Sequence, residues 1–150
     1  MRKIALIACS SKKLKESKKN ETAEFKAQEI YTGNTFKKSK DYCFDSKNGT
    51  FRNGFDDFCI LSAKYGLLEK NDLISYYNMY LGKQKKNYKA KWAEAVIAKL
   101  AKKYDLNNDV FYIFGGTSYY ENLLPNLGHY VIFNYINSNC INLNSIKAEK

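Results

Sequence analysis

The sequence predicts one α/β domain over residues 1–150, with a mainly parallel sheet flanked by helices. Short apolar runs recur along the chain and alternate with stretches of helical periodicity, and no repeat or linker divides the 150 residues. Single strands separated by helices favour parallel pairing, because a parallel connection needs a crossover about as long as a helix. A chain of this length buries enough surface to fold without disulfides or metal, so we expect no cofactor.

The first half of the chain predicts two strands and two helices. Lys3–Ala8 is a continuous apolar run, typical of a strand covered on both faces, and a basic loop follows over 9–20. Mixed helical character predicts helices over 22–31 and 35–44, with a break at Gly33. The apolar run 58–62 predicts the second buried strand.

The second half contains the clearest helix, where apolar residues recur at three- and four-residue spacing over 92–104. The Asn-rich residues 136–150 fit a surface tail as well as a partner contact. The remaining predicted elements are a strand over Val110–Phe114, a short helix over 118–124 that stops near Pro125, and a strand over 130–134.

Cysteine and histidine are too sparse for most metal and triad chemistry. Cys9, Cys43, Cys59 and Cys140 form no C-x-x-C pair, so we expect no metal site. His129 is the one histidine, and it lies just before an apolar run without polar neighbours to orient it. We interpret it as a residue at a strand edge.

The net charge of +10 is concentrated in two segments. Residues 1–40 carry eleven basic and four acidic side chains, and residues 83–105 carry eight and two. Such segments favour a phosphate-bearing partner, either nucleic acid, with DNA ahead of RNA, or a free nucleotide. An AT-rich genome would also enrich lysine and asparagine.

The first apolar stretch, 4–9, is too short to span a bilayer, so we expect a cytoplasmic protein without membrane contact.

Polar and glycine residues follow three of the predicted strands. In open α/β sheets, ligands bind outside the carboxyl ends of the strands. Hydroxyls, glycines, cations and rings together suit a nucleotide-like ligand, whose phosphate takes hydrogen bonds and whose base stacks on a ring. The candidate binding residues at these ends are Cys9, Ser10 and Lys12; Ser62, Lys64, Tyr65 and Gly66; and Gly115, Gly116, Ser118 and Tyr119.

Each of these signals also has a structural interpretation. The Gly115–Gly116 pair could simply let a helix start close to a strand, and Cys9 could be a small buried residue. Ser10 and Lys12 could belong to a solvated loop. Asp72 is either the N-cap of a helix or a catalytic carboxylate.

One longer segment resembles a known family. Residues 61–68, Leu-Ser-Ala-Lys-Tyr-Gly-Leu-Leu, followed by Asp72, Ile74 and Tyr77, resemble the L-S-A-x-Y-G-L-L…D-x-I-x-P-Y block of YaaA-like proteins. Lys70 and Tyr76 stand where that family tends to have proline. A related group of small bacterial and phage proteins adds three motifs. They are matched by Cys9, Ser10, Lys12 and Lys13; by Ala27, Glu29, Ile30, Tyr31 and Phe36; and by Gly116, Tyr119 and Leu123.

The resemblance implies a uracil-DNA-glycosylase-like three-layer sandwich and a role with nucleobases or nucleic acid. YaaA-like proteins are associated with peroxide stress and DNA binding. The glycosylases' own catalytic loop sequences are absent from this chain. The family context therefore indicates the ligand class more directly than the reaction.

We consider two functions. The first is an enzyme that cleaves an N-glycosidic bond, with Asp72 as the carboxylate that stabilises a sugar cation. Lys12 or Lys64 would bind phosphate or the leaving base, and Ser10 and Ser62 would hydrogen-bond the ligand. Tyr65 or Tyr119 would stack on the base, with Tyr77 nearby. The second is a non-catalytic protein that binds DNA or sequesters a nucleotide in stress or phage–host conflict.

Overall fold

The computed structural model describes residues 1–137 and 140–144, with side chains to residue 133. Its strands and helices alternate along the chain, and two short 3₁₀ turns cover Leu81–Lys83 and Leu124–Asn126. In chain order the elements are β1 (Lys3–Ala8), α1 (Lys15–Lys19), β2 (Phe25–Lys26), α2 (Ala27–Ile30), α3 (Asn34–Cys43), β3 (Phe44–Asp45), β4 (Thr50–Phe51), β5 (Asp57–Ser62), β6 (Gly66–Glu69), β7 (Leu73–Ile74), α4 (Lys86–Lys103), β8 (Val110–Phe114), α5 (Thr117–Tyr120), β9 (His129–Asn137) and β10 (Cys140–Asn144).

The central sheet has the strand order β10-β9-β8-β1-β5-β6. The four inner strands β9, β8, β1 and β5 run parallel, whereas β10 and β6 pair antiparallel at the two ends of this sheet. The prediction of an α/β domain with a mainly parallel sheet flanked by helices is therefore confirmed. The inner strands bring the carboxyl ends of β1, β5 and β8 to one edge of the sheet.

Burial explains why the inner strands consist of continuous apolar runs. Ile4 to Ile7 in β1 have no exposed surface, and neither do Phe111 and Ile113 in β8. Helix α3 packs on β1 and α4 packs on β6. Strands covered by helices keep no polar face, so their sequences show no alternation.

The strongest apolar patterns were assigned correctly. Strands Lys3–Ala8 and Val110–Phe114 are confirmed at their predicted limits, and 58–62 and 130–134 lie within β5 and β9. The helices predicted over 35–44 and 92–104 correspond to α3 and α4. Three of their four ends agree to within one residue, whereas α4 begins at Lys86, six residues before the predicted start.

The helix predicted over 22–31 is wrong. Phe25 and Lys26 instead form β2, which pairs antiparallel with Ile74 and Leu73 of β7, and only the single turn α2 follows. The Ala27 N–H also donates to Asp72 O at 2.8 Å. Pairing with a segment distant in sequence overrides the local helical preference here.

Other predicted boundaries also differ from the structure. The helix over 118–124 is shorter, since α5 ends at Tyr120 and Pro125 lies inside the second 3₁₀ turn. The loop over 9–20 contains α1, and within 136–150 the segment Cys140–Asn144 forms β10 against β9. The rest of that proposed tail, 138–139 and 145–150, lies outside the described residues. Within the described part of the chain no helix is long and apolar enough to cross a bilayer.

Candidate ligand-binding cleft

A cavity of about 350 Å³ opens at the carboxyl ends of β1 and β8, beside the first turn of α3. We call it the cleft. No Asp, Glu or His of the described residues lines it. Its lining comes from the β1 end (Ala8, Cys9, Ser10, Ser11, Lys12), from α3 and the residue before it (Gly33, Asn34, Thr35, Phe36, Ser39), and from the β8 end and α5 (Phe114, Gly115, Gly116, Tyr119).

Ser10 and Gly33 hold the first wall of the cleft together. The Gly33 N–H donates to Ser10 Oγ at 3.1 Å, and Ser10 Oγ–H donates to Lys12 O at 2.6 Å. A Cβ on residue 33 would lie 2.6 Å from the Ser10 Cβ, so only glycine permits this approach. Ser10 therefore fixes the loop against α3 and uses its hydroxyl to do so.

The amino terminus of α3 gives the cleft a positive end. The first N–H groups of a helix have no partner within that helix, and its macrodipole favours an anion there. Gly33 precedes the helix without a capping side chain, and the first turn contains no acidic residue. Lys12, an exposed cation, lies on the same wall. This wall suits a phosphate group or another anion.

Two glycines form the opposite wall. A Cβ on Gly115 would lie 2.6 Å from the Cβ of Ala8, so this glycine allows β8 and β1 to approach closely where both strands end. A Cβ on Gly116 would meet no atom within 4 Å. The Gly116 backbone is therefore open to a ligand, while Gly115 has a structural reason to be glycine.

A network of hydroxyl groups lies at the ends of β1 and β5. Cys9 Sγ lies 3.2 Å from the Tyr119 hydroxyl. The buried Tyr77 hydroxyl lies 2.7 Å from that of Tyr31 and 2.8 Å from Ser62 Oγ. The Tyr65 N–H donates to Ser62 Oγ at 3.0 Å. These contacts join the ends of β1 and β5 to three other segments of the chain.

The tyrosines of this network stay protonated. Burial raises the pKa of Tyr31, Tyr77 and Tyr119 above the usual value, and the neighbouring Cys9 adds to the rise in each case. Their hydroxyl groups are therefore available as hydrogen-bond donors throughout the neutral range.

Helix α4 holds the end of β5 in place. Trp92 Nε1–H donates to Ser62 O at 2.7 Å, and the Tyr88 hydroxyl donates to Ala63 O at 2.8 Å. Lys64 is exposed, with its Nζ 5.2 Å from the centre of the Tyr65 ring. The most regular helix of the sequence thus positions the second strand end.

The structure brings together part of the predicted site. Ser62 and Tyr77 are buried, and Tyr65 packs edge-on against Tyr77 with its ring centre 5.5 Å away. Gly66 begins β6 with φ of +74°, and Ser118 lies against Gly82 of the first 3₁₀ turn. The predicted residues that line the cleft are Cys9, Ser10, Lys12, Gly115, Gly116 and Tyr119; those outside its lining are Ser62, Lys64, Tyr65, Gly66, Asp72, Tyr77 and Ser118.

Asp72 lies in the turn between β6 and β7. Its side chain is exposed and accepts a hydrogen bond from the Glu69 N–H at 2.8 Å. The alternative of a helix N-cap is wrong, because β7 follows instead of a helix. The Asp72 carboxylate therefore accepts a hydrogen bond that closes the turn between β6 and β7.

Sequence reasoning missed the contribution of α3. Lys13 and Tyr31 entered it only through the family resemblance and not as candidate site residues. Gly33 was recognised only as a break between helices, although a glycine before a helix start also marks a possible anion site. Lys13 is half-buried, with its Nζ 4.3 Å from the centre of the Tyr77 ring. Nothing in the local sequence indicates that contact.

Among the described residues, no three His, Cys, Asp or Glu side chains are grouped as metal ligands would be.

Comparisons with known proteins identify a family. No curated protein and no solved structure matches the chain significantly. A family of unknown function, DUF6884, matches residues 4–133, which include every residue that lines the cleft. The chain therefore belongs to the DUF6884 family.

Proposed function

We propose that the cleft binds a nucleotide, either free or within a nucleic acid strand. The observation that carries the proposal is that the amino terminus of α3 and Lys12 line the same cavity as Gly116 and the Tyr119 ring. The α3 terminus and Lys12 would hold the phosphate, and Tyr119 and the open Gly116 backbone would contact the sugar and base. The volume of about 350 Å³ lies within the range usual for small-molecule sites.

Charge outside the cleft supports the same ligand class. Lys12 lines the cleft, other lysines of the first basic segment are exposed, and 83–91 carries further exposed lysines. Long-range attraction by such segments raises the rate at which an anionic ligand arrives. A polynucleotide would contact them directly, whereas a mononucleotide would not.

Cleavage of an N-glycosidic bond by Asp72 receives less support. That chemistry needs a carboxylate beside the sugar, and the described lining of the cleft contains none. Asp72 is exposed and accepts a backbone hydrogen bond in the β6–β7 turn. Nucleotide binding is thus the function we propose.

The test compares two lysine variants in a binding assay. Isothermal titration calorimetry would measure the affinity of the purified protein for a panel of mononucleotides, the matching nucleosides and short single-stranded oligonucleotides. We expect Lys12→Met to weaken nucleotide binding about fivefold to tenfold, because it removes a charge-assisted contact to phosphate. Lys64→Met is the matched control, since Lys64 is exposed and outside the cleft lining.

The same titrations can contradict the proposal. Equal affinity for nucleosides and nucleotides would mean that no phosphate site exists. Equal loss in Lys12→Met and Lys64→Met would indicate nonspecific attraction by net charge instead of binding in the cleft.

A further inference from the structure

A basic segment of the chain lies next to the cleft. It runs over residues 80–91, which comprise Tyr80, the first 3₁₀ turn and the start of α4, and we call it the basic strip. The strip contains five lysines, and no Asp or Glu occurs anywhere over 73–93. Its fully exposed lysines are Lys83, Lys85, Lys86 and Lys91.

The lysines of the strip have no partner of opposite charge in the fold. None of them forms an ion pair with a described residue, whereas Lys103 at the other end of α4 pairs with both Asp57 and Glu69. Lys86 and Lys89 are three residues apart on α4, and like charges at this spacing destabilise a helix. The charges of the strip therefore do not stabilise the fold, and they suit an external ligand with several negative charges.

Contacts through α5 place the strip beside the cleft. A Cβ on Gly82 would lie 3.0 Å from the Oγ of Ser118, the residue before Tyr119 of the cleft lining. Trp92, which directly follows the strip, packs edge-on against Tyr119 with a distance of 5.9 Å between the ring centres. The short helix α5 thus touches the strip and contributes to the cleft wall.

Tyr80 adds an exposed aromatic ring to the strip. Its side chain is 47% exposed, and the Lys83 Nζ lies 4.8 Å from the centre of its ring. Tyr80 precedes Gly82 by two residues, so its Cα lies within about 8 Å of the Gly82 Cα. Proteins that bind single-stranded nucleic acid combine such rings, on which bases stack, with cations that hold the phosphates.

We propose that the cleft takes a nucleotide within a single strand, and that the adjoining nucleotides lie on the basic strip. A base would stack on Tyr80, and Lys83 and Lys86 would contact phosphates. This proposal rests on the nucleotide-binding function proposed above. A free mononucleotide would leave the strip unoccupied. A duplex does not fit, because its bases are stacked on one another and present no free face to Tyr119 or Tyr80.

The test varies the length of the strand. Isothermal titration calorimetry would compare deoxythymidylates of one to about eight nucleotides, a range that covers short single-strand sites. Uridylates of the same lengths distinguish RNA from DNA, and a duplex of the longest length tests the requirement for a single strand. We expect the affinity to rise at least about tenfold between the mononucleotide and the longest single strand, and the duplex to bind more weakly than that strand.

A double lysine variant tests the phosphate contacts. Lys83→Gln combined with Lys86→Gln should weaken binding of the longest strand about tenfold and leave the affinity for the mononucleotide unchanged. The slope of log affinity against log salt should become shallower by about 1.4, since each phosphate contact of a single strand contributes about 0.7.

The matched control removes the same charge elsewhere. Lys47→Gln combined with Lys102→Gln changes two exposed lysines, and Lys102 lies about 24 Å along α4 from Lys86. We expect this control to weaken binding of the longest strand by less than about twofold. Equal losses in the two double variants would mean attraction by net charge alone and would overturn the proposal.

Two variants of Tyr80 test the stacking contact. Tyr80→Leu removes the ring and should weaken binding of the longest strand about tenfold, without an effect on the mononucleotide. Tyr80→Phe keeps the ring and should bind like the wild type. Equal affinities of these two variants would contradict a base stacked on residue 80.

Failure of this proposal and failure of the proposed function give different results. If mononucleotides bind and Lys12→Met weakens them, but longer strands bind no tighter, the strand proposal is wrong and the proposed function stands. If longer strands bind but mononucleotides do not, and Lys12→Met has no effect on either, the cleft is not a nucleotide site and both proposals fail. A duplex that binds as tightly as the single strand would overturn the strand proposal alone.

Discussion

Replacing Tyr77 by phenylalanine removes one hydroxyl group and two buried contacts. That hydroxyl lies 2.7 Å from the Tyr31 hydroxyl and 2.8 Å from Ser62 Oγ. Tyr31 is 1% exposed and Ser62 is fully buried, so water cannot replace the lost partner without opening the core. Tyr31→Phe, in contrast, removes the Tyr31–Tyr77 hydrogen bond and leaves the Tyr77–Ser62 pair in place.

The expected magnitudes follow from this difference. A buried hydrogen bond contributes about 1 kcal/mol net, and a polar group left without its partner costs about 1–3 kcal/mol. We expect Tyr77→Phe to lower the free energy of unfolding by about 2–3 kcal/mol and Tyr31→Phe by about 1–2 kcal/mol. The double variant should lose about 1 kcal/mol less than the two single losses added together, because both singles break the same contact.

Urea unfolding followed by circular dichroism measures all three free energies. Tyr120→Phe is the control and should change the free energy of unfolding by less than about 0.5 kcal/mol, since its hydroxyl makes one exposed contact at 3.4 Å. Strictly additive losses would mean that Tyr31 and Tyr77 are not coupled, and would contradict the hydroxyl network at the ends of β1 and β5.

Three further predictions test the cleft walls, the acid response and the charge. Gly115→Ala should destabilise the protein by about 1–3 kcal/mol in urea unfolding, because its Cβ would lie 2.6 Å from that of Ala8; Gly116→Ala, in open space, should not. Burial acts to raise the pKa of Asp109, but two backbone N–H groups and the Arg2 guanidinium hold it below the usual value. Its stabilising effect is therefore present above about pH 4 and lost as the pH falls further, so the unfolding free energy of Asp109→Asn should vary less with acid than that of the wild type. Affinity for single-stranded DNA should fall steeply between about 50 and 200 mM salt if the lysines contact phosphates, and a flat response would leave a mononucleotide as the ligand.

The buried strands could be predicted because burial leaves a local signature. Every residue from Ile4 to Ile7 is buried, so β1 is a continuous apolar run with a visible beginning and end. The helix α4 shows the regular spacing of an amphipathic helix for the same reason. Such patterns need no knowledge of which element is adjacent.

The missed elements depend on pairing between distant segments. β2 forms because Phe25 and Lys26 pair with Ile74 and Leu73, and no local pattern specifies that pairing. β6 is four residues long and begins with a glycine at φ of +74°, so its two leucines resemble the end of a turn as much as a strand. Short edge strands of this kind carry little periodicity.

The candidate site was predictable to the extent that strand ends define it. Cys9, Lys12 and Gly116 follow from the rule that ligands bind at the carboxyl edge of such a sheet. The wall formed by α3 depends on the close approach of Gly33 to Ser10, which is a tertiary contact. The position of Asp72 in a turn outside the cleft lining depends on the pairing of β2 with β7, which the sequence does not reveal.

Residue-resolved NMR titration with a mononucleotide tests most directly whether the cleft is a nucleotide site. We expect the largest amide shift changes at Lys12, Asn34 and Gly116, which line the two walls of the cleft. The surface over 83–91 should change little, because a mononucleotide in the cleft would not contact it. Shift changes confined to 83–91, or none anywhere at saturating nucleotide, would contradict the account.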